Sequence, residues 1–292
     1  MIDRPQLITI LLLHCLLHII DSSCNPSIVF VTVYTGATDE PRGADTIPPP
    51  PSPHHSIYFS DNPTILQTAT GVGWKTFKMS GSPVRSSYRN AMKAKVVKAV
   101  PHELINFKEN YDYLVYFDSK IHLNYNYTKT LICTWLETDS NIALLTTKHR
   151  QHFQTVDDEF QEALKQTRYR MHGKRMKEYI FMREHEHLML QKKKNRISSV
   201  VDHPEGKDLK KNDDQSKRYV SETRFMIRSL KHPKIEMITN EWMKDIELCG
   251  IECQISFYFI EQKYRQYILQ IDSTEYEYEN IEKQNVKEDK EL

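Results

Sequence analysis

Glycine is scarce in this chain. Eight glycines in 292 residues leave no glycine-rich phosphate loop and no collagen-like repeat. Net charge is equally sparse. Forty Lys and Arg against 39 Asp and Glu give +1, so no global field draws the chain to nucleic acid. Five cysteines are too few and too scattered for a disulfide scaffold. No apolar run reaches the ~20 residues of a bilayer-spanning helix; the run from Leu7 to Ile20 has fourteen. What is present suits a folded protein: 39% hydrophobic and 27% charged residues can build a core. The length fits one large domain or two small ones.

The N-terminal run is preceded by Arg4 and followed by Asp21-Ser22-Ser23-Cys24. A charged start, a short apolar middle and small residues after it predict a secretory signal over 1–24, cut near Cys24. The alternative is an uncleaved signal anchor that tethers the chain to a membrane. Both place the body of the chain in the secretory pathway: the lumen of the ER or Golgi, or the cell exterior. Asn126-Tyr127-Thr128 is an N-glycosylation acceptor in that setting. An oxidising compartment would let Cys133, Cys249 and Cys253 pair, although all three also read as small buried residues.

Residues 25–271 read as one domain. SIVFVTVY (27–34) is a strand apolar on both faces. A proline-rich loop follows, then a short strand at 56–59 and an alternating strand at 72–79. Ser86 to Val100 reads as a helix ended by Pro101. YDYLVYF (111–117) is the strongest strand and stops at Asp118-Ser119-Lys120. A helix over 127–136, a strand over 142–147 (IALLTT) and a long charged helix over 157–183 come next. Residues 184–221 carry little that packs and read as a charged, flexible insertion. A strand at 222–229 and a helix started by Asn240 follow, and 272–292 is a charged tail. Strands separated by helices predict an α/β fold, a Rossmann-like sandwich with a mostly parallel central sheet.

In such sheets ligands bind beyond the carboxyl ends of the strands, which singles out Asp118. Its carboxylate is placed to hold a divalent cation or a sugar hydroxyl, or simply to turn the chain. Lys95 and Lys98 lie one helical turn apart, with Arg89 before them. Together they suit a diphosphate; a solvated helix face is the plainer reading. His102 after Pro101 reads as a base, a ligand or a satisfied turn residue. His149 follows the IALLTT strand, and Glu159 comes ten residues later. That pair would orient a sugar, or form a surface ion pair worth little. His185 and His187 alternate with Glu184 and Glu186 and read as solvated, because metal pairs on a helix want i,i+4 spacing.

The ordered series TVYTG, YFSDN, AKVVKAVPHELI, YDYLVYFDSKIHL, IALLTTKHR, DDEFQEAL, IRSLKHP and ECQISFYF resembles a known family. It is similar to the glycosyltransferase-like domain of the plant mucilage-related and turgor-regulation-defect proteins. The resemblance spans 27–260 without the 184–221 segment. Its Lys-x-x-Lys-x-x-Pro-His element falls on Lys95, Lys98, Pro101 and His102. Its strand-terminal acid falls on Asp118, its post-strand His on His149 and its downstream acid on Glu159. Its strand-borne Arg falls on Arg228, and its Arg-Asp-Gln-x-Ser-Phe element on Glu252, Cys253, Gln254, Ser256 and Phe257. Two departures stand out: Lys120 where the family has a neutral polar residue, and Glu252-Cys253 in place of Arg-Asp.

The resemblance implies an A-type glycosyltransferase fold that moves a sugar from a nucleoside-diphosphate sugar to a glycan or glycoprotein acceptor. It implies Asp118, His149, Glu159 and Gln254 in the chemistry, and Arg89, Lys95, Lys98, His102 and Arg228 around the donor. A divalent cation, Mn²⁺ or Mg²⁺, would sit at Asp118, opposed by the charge of Lys120. The alternative is a catalytically inactive secreted relative that binds glycans or acts as a scaffold. No nucleic-acid partner is expected, and a membrane only if the leader is an uncleaved anchor. The sugar-transfer reading requires Asp118 and the two lysines to share one hollow.

Overall fold

The computed structural model describes residues 24–36, 47–81, 88–119, 121–149, 153, 155–198, 220–272 and 278–280. The leader before Cys24, Lys120, the 199–219 part of the insertion and most of the 272–292 tail lie outside the described residues.

The chain order is β1 (Ile28–Tyr34), β2 (Ser56–Ser60), α1 (Pro63–Gly71), β3 (Lys75–Lys78), α2 (Tyr88–Ala99) and β4 (Tyr113–Phe117). Then come β5 (Ile121–Leu123), α3 (Tyr125–Leu131) with a π-helical turn over Ile132–Leu136, β6 (Leu144–Lys148) and α4 (Val156–Lys165). The last elements are α5 (Thr167–Arg170), α6 (Gly173–Ser198), β7 (Ser221–Ser229), α7 (Ile235–Cys249), α8 (Cys253–Lys263), β8 (Ile268–Ile271) and β9 (Tyr278–Asn280). Seven strands form one sheet in the order β3-β2-β1-β4-β7-β6-β8. All neighbours pair parallel except β7, which is antiparallel to both β4 and β6. This is the mostly parallel α/β sandwich that the alternation of strand and helix patterns predicted. Strands β5 and β9 pair separately.

Both faces of the sheet are covered, which is why β1 and β4 read as continuous apolar runs. Phe30, Val115, Phe117, Phe225 and Ile227 pack against α1 and against Leu131, Ile132 and Leu136. On the other face Val29, Val31, Leu114 and Tyr116 meet Val97 of α2. Leu144 and Met226 meet Ile238, Trp242 and Ile246 of α7 and Phe257 of α8. Helices α4 and α6 form an outer layer on α7 and α8 through Phe160, Met176, Tyr179 and Ile255. Among the described residues no helix is long and apolar enough to cross a membrane.

Four boundaries differ from the sequence reading. Asn62 is an N-cap that accepts from the backbone of Thr64 and Ile65, and Pro63 takes the first helical position. The resulting α1 runs to Gly71 and shortens the strand expected over 72–79. Helix α7 starts at Ile235, because Ile235 and Ile238 continue the buried face of Trp242 upstream of Asn240. Gly250, at φ 112°, ends α7 and lets the chain reverse into α8. The helix expected over 157–183 is three. Gln166 breaks it with extended backbone, and α6 then runs to Ser198, through the first part of the 184–221 segment. It contains no Gly or Pro after Gly173, so good helix formers prevail over low hydrophobicity there.

The cysteine reading also changes. Cys133 pairs with Cys24 across 109 residues of sequence, whereas Cys249 and Cys253 are free and buried. The bond clips Cys24, four residues before β1, to the π-helical turn. Sequence spacing alone does not reveal it, because the two sulfurs are brought together only by the packing of α3 on β1.

Candidate functional site

The six parallel strands end on one rim of the sheet. Because β7 runs the other way, it contributes its beginning, Ser221 to Arg224, to the same rim. Asp118 follows β4 there, and its backbone N–H donates to the Arg224 carbonyl at 2.9 Å.

Asp118 shares its sheet face with Tyr116, the face that α2 covers. Its Oδ1 accepts from the Tyr116 hydroxyl at 3.0 Å and from Lys98 Nζ at 3.5 Å. The Lys98 side chain is 5% exposed and that of Asp118 28%, so the ammonium is sunk below a carboxylate that opens to solvent. Lys98 also lies 5.3 Å from the Tyr116 ring centre. Burial pushes the Asp118 carboxyl upward, but Lys98 and Lys95, the Tyr116 hydroxyl and Arg224 together hold it below the usual carboxylate range. Lys95, one turn earlier on α2, donates to Cys253 Sγ at 3.1 Å. Burial opposes its charge, yet Cys253, Glu252 and Asp118 outweigh that and raise its pKa. Thr223 Oγ1 lies 3.3 Å from the same sulfur.

A second half of the cluster sits at the end of β6 and the start of α4 and α8. The capping box of Thr155 and Asp158 sets the entry of α4 and places Glu159 on its buried side. Glu159 Oε1 accepts from Gln254 Nε2 at 2.7 Å. Its Oε2 has no hydrogen-bond partner among the described residues and lies 3.6 Å from His149 Nε2. Burial, then the nearby Glu252 carboxylate, pushes Glu159 up to about 8. The His149 ring stacks on Phe153 at 4.4 Å, and burial lowers its pKa below the usual imidazole value. Glu252 caps α8 by accepting from the Gln254 N–H at 3.0 Å and accepts from the Tyr169 hydroxyl. Buried Glu222 is ion-paired with Arg224.

Six residues singled out from sequence therefore converge: Lys95, Lys98, Asp118, His149, Glu159 and Gln254. Cations flank Asp118, and acids and an imidazole flank Glu159. Three others sit elsewhere. Arg89 is exposed on the first turn of α2, six residues before Lys95, about 9 Å along the helix axis. His102 is hydrogen-bonded to Asn240 of α7 at 3.1 Å, and burial lowers its pKa. Arg228 pairs with Leu114 in the sheet, four residues below Asp118, or about 13 Å down the strand. It is buried, donates to the Lys98 carbonyl, and leaves Nε and Nη1 unpartnered among the described residues.

The sequence reading missed several rim residues. Glu222, Thr223 and Arg224 lie at the beginning of a strand, and only its reversed direction brings them to the rim. Asp61 and Asn62 end β2 and obey the same strand-end rule as Asp118. Asp61 accepts from the Gly36 N–H at 3.1 Å and pairs with Lys93 at 2.8 Å, while Asn62 Nδ2 donates to the Gly36 carbonyl at 2.9 Å. These bonds tie the ends of β1 and β2 together beside the cluster. Ser119 is bonded to the Tyr58 hydroxyl, which fixes the turn after Asp118.

Among the described residues no three His, Cys, Asp or Glu side chains gather as a metal cage. A cavity of about 600 Å³ lined by Cys24, Asp112, Tyr113, Glu137 and Lys231 lies at the start of β4. It is at the opposite end of the sheet from Asp118 and is not part of this cluster.

No protein-family model matches the chain, and no curated protein does. Among solved structures it is similar to mouse xyloside xylosyltransferase 1 in its apo form. The identity is 8%, over 85% of this chain and 86% of that chain, with a TM-score of 0.44. It is also similar to CMP:2-keto-3-deoxy-manno-octonic acid synthetase complexed with CTP. There the identity is 10%, over 91% of this chain and all (100%) of that chain, with a TM-score of 0.43. At these values neither likeness bears on the chemistry, which rests on the residues at the rim.

Proposed function

We propose that the chain is a glycosyltransferase of the A-type fold. It would transfer a sugar from a nucleoside-diphosphate sugar to a glycan or glycoprotein acceptor in the secretory pathway. The observation that carries this reading is the meeting of Lys95, Lys98 and Asp118 with His149, Glu159 and Gln254 on one rim. The resemblance to the plant glycosyltransferase-like family, which singles out the same residues, agrees with it.

The division of charge suits the reaction. The leaving group is a diphosphate whose charge grows as the glycosidic bond breaks, and Lys95 and Lys98 are the groups to neutralise it. On the acid side Glu159 and His149 are neighbours, 3.6 Å apart. One of them would take the proton of the acceptor hydroxyl, with Gln254 fixing the Glu159 carboxyl. A divalent cation would bind through Asp118 and the donor's own phosphate oxygens, a pattern common for hard cations. It would add to the charge that the lysines bring. The Cys24–Cys133 bond and the Asn126 acceptor, exposed on α3, support a lumenal setting.

A second reading is a catalytically inactive glycan-binding relative. The direct Lys98–Asp118 pair and Cys253 in place of an acid favour it. Calorimetry with a panel of uridine and guanosine diphosphate sugars, with and without Mn²⁺ or Mg²⁺, separates the two. Heat of binding followed by release of nucleoside diphosphate supports the transferase. Glycan-array binding with no nucleotide heat supports the inactive relative and removes the enzyme.

A further inference from the structure

The Cys24–Cys133 bond is part of a cavity wall. Both cysteines line the cavity of about 600 Å³ at the start of β4. That volume is in the range of small-molecule sites. Asn25, Glu137 and Thr138 on the same walls are exposed, so the cavity opens to solvent. Cys24 is half-buried and Cys133 is buried, so an incoming thiolate meets Cys24 first. A disulfide that small thiols can reach is open to exchange, unlike one sealed in a core.

The start of β1 is held without the bond. The Ser27 carbonyl accepts from the N–H groups of Asp112 and Tyr113 at 2.8 and 3.1 Å. Its own N–H donates to Asp112 Oδ2 at 2.9 Å, and its hydroxyl donates to the Asn110 carbonyl at 2.9 Å. Opening the disulfide therefore releases residues 24–26 and leaves the register of β1 on β4 in place.

The charges on the wall choose the thiol. They are the carboxylates of Asp112 and Glu137 and the ammonium of Lys231. Lys231 is ion-paired with Asp112, whereas Glu137 Oε1 accepts from the neutral Tyr113 hydroxyl at 2.9 Å. The wall thus keeps one net negative charge. It sits at the end of the π-helical turn, one turn after Cys133. A thiol that carries an ammonium would set it against Glu137 while its sulfur meets Cys24; one that carries a carboxylate would be repelled. We propose that this cavity is a thiol–disulfide exchange site selective for small aminothiols. The aminothiol, as thiolate, attacks Cys24 Sγ. The Cys24–Cys133 bond breaks and a mixed disulfide forms at Cys24. Cys133 leaves as a thiolate and takes up the proton that the aminothiol lost, so no separate oxidant or reductant is consumed.

Three thiols of similar size test this on the full chain. Cysteamine carries a positive charge, 2-mercaptoethanol none and mercaptoacetate a negative one. Dividing each exchange rate by that thiol's rate with 2-hydroxyethyl disulfide removes differences in thiol reactivity. Cysteamine should then lead 2-mercaptoethanol by about fivefold, and mercaptoacetate should trail it by about fivefold, as one partly exposed charge contact predicts. Peptide mapping should place the adduct on Cys24. Glu137→Gln should level the three rates. Thr138→Lys, which leaves the Tyr113–Glu137 hydrogen bond in place, should also abolish the lead of cysteamine. Both variants should keep the wild-type far-UV spectrum. Equal normalised rates in the wild type overturn the proposal. So does an order that both variants leave unchanged, an adduct on Cys133, or exchange that proceeds only at the rate of global unfolding.

Discussion

Glu159→Gln should flatten the alkaline limb of the protein's stability profile. Glu159 is buried against Glu252, and its pKa moves from 4.5 to about 8 on folding. Between those two values the folded chain holds a proton that the unfolded chain has released. The stability linked to that proton is therefore fully present below pH 4.5 and is lost as pH rises through about 8. At about 1.4 kcal/mol per pH unit the whole displacement is worth at most about 5 kcal/mol. Water entry and the sharing of charge with Glu252 reduce the expected loss to about 2–3 kcal/mol. Gln keeps the shape and still accepts from Gln254, but it cannot ionise. Urea midpoints at about pH 5 and about pH 9 measure the effect. Wild type and variant should agree at the acid value, and the variant should be the more stable at the alkaline one. Two parallel profiles would refute the argument, because Glu159 would then ionise no less readily folded than unfolded. If Glu159 also takes the acceptor proton, wild-type transfer should rise with pH through the same region, and the variant should lack that rise.

Asp118→Asn leaves Lys98, 5% exposed, without its counter-charge. Because Asp118 is partly open to solvent, the cost should be about 1–2 kcal/mol rather than that of a fully buried pair. The wild-type advantage should be present above the unfolded value of 3.8 and fade as pH falls through the depressed folded value; an unchanged urea midpoint near neutrality would contradict the pairing. Cys24→Ser or Cys133→Ser opens a loop of 109 residues, and chain entropy sets the loss at up to about 5 kcal/mol. Non-reducing peptide mapping should show Cys24 joined to Cys133, with Cys249 and Cys253 as thiols. Arg228→Met removes a buried guanidinium with two unpartnered nitrogens, whose pKa burial lowers to about 10. Stability should stay within about 1 kcal/mol of wild type or rise, as thermal denaturation would show, and donor binding should be unaffected.

Much of the sheet was legible because β1 and β4 are buried on both faces and so lack the polar interruptions of a surface strand. Asp118 was legible as the first charge after such a run. Lys95 and Lys98 were legible as cations on a glycine-free helix, but not their fate: a helical pattern does not show that a lysine stem can lie under the sheet rim and lift its ammonium to an aspartate. That α6 continues beyond Arg183 was not legible, because its residues seek no core, although their propensity for helix is high.

Local pattern by itself determined that this is an α/β chain with a carboxylate at the end of its best strand and a basic helix before it. Those features depend on neighbours a few residues apart. Only the tertiary structure decided that β7 runs backwards between β4 and β6. That one reversal carries Glu222, Thr223 and Arg224 to the rim and lets α8 bring Cys253 and Gln254 against Lys95 and Glu159. The direction of a strand relative to its neighbours is set by non-local hydrogen bonds and side-chain packing, and no single stretch of residues encodes it.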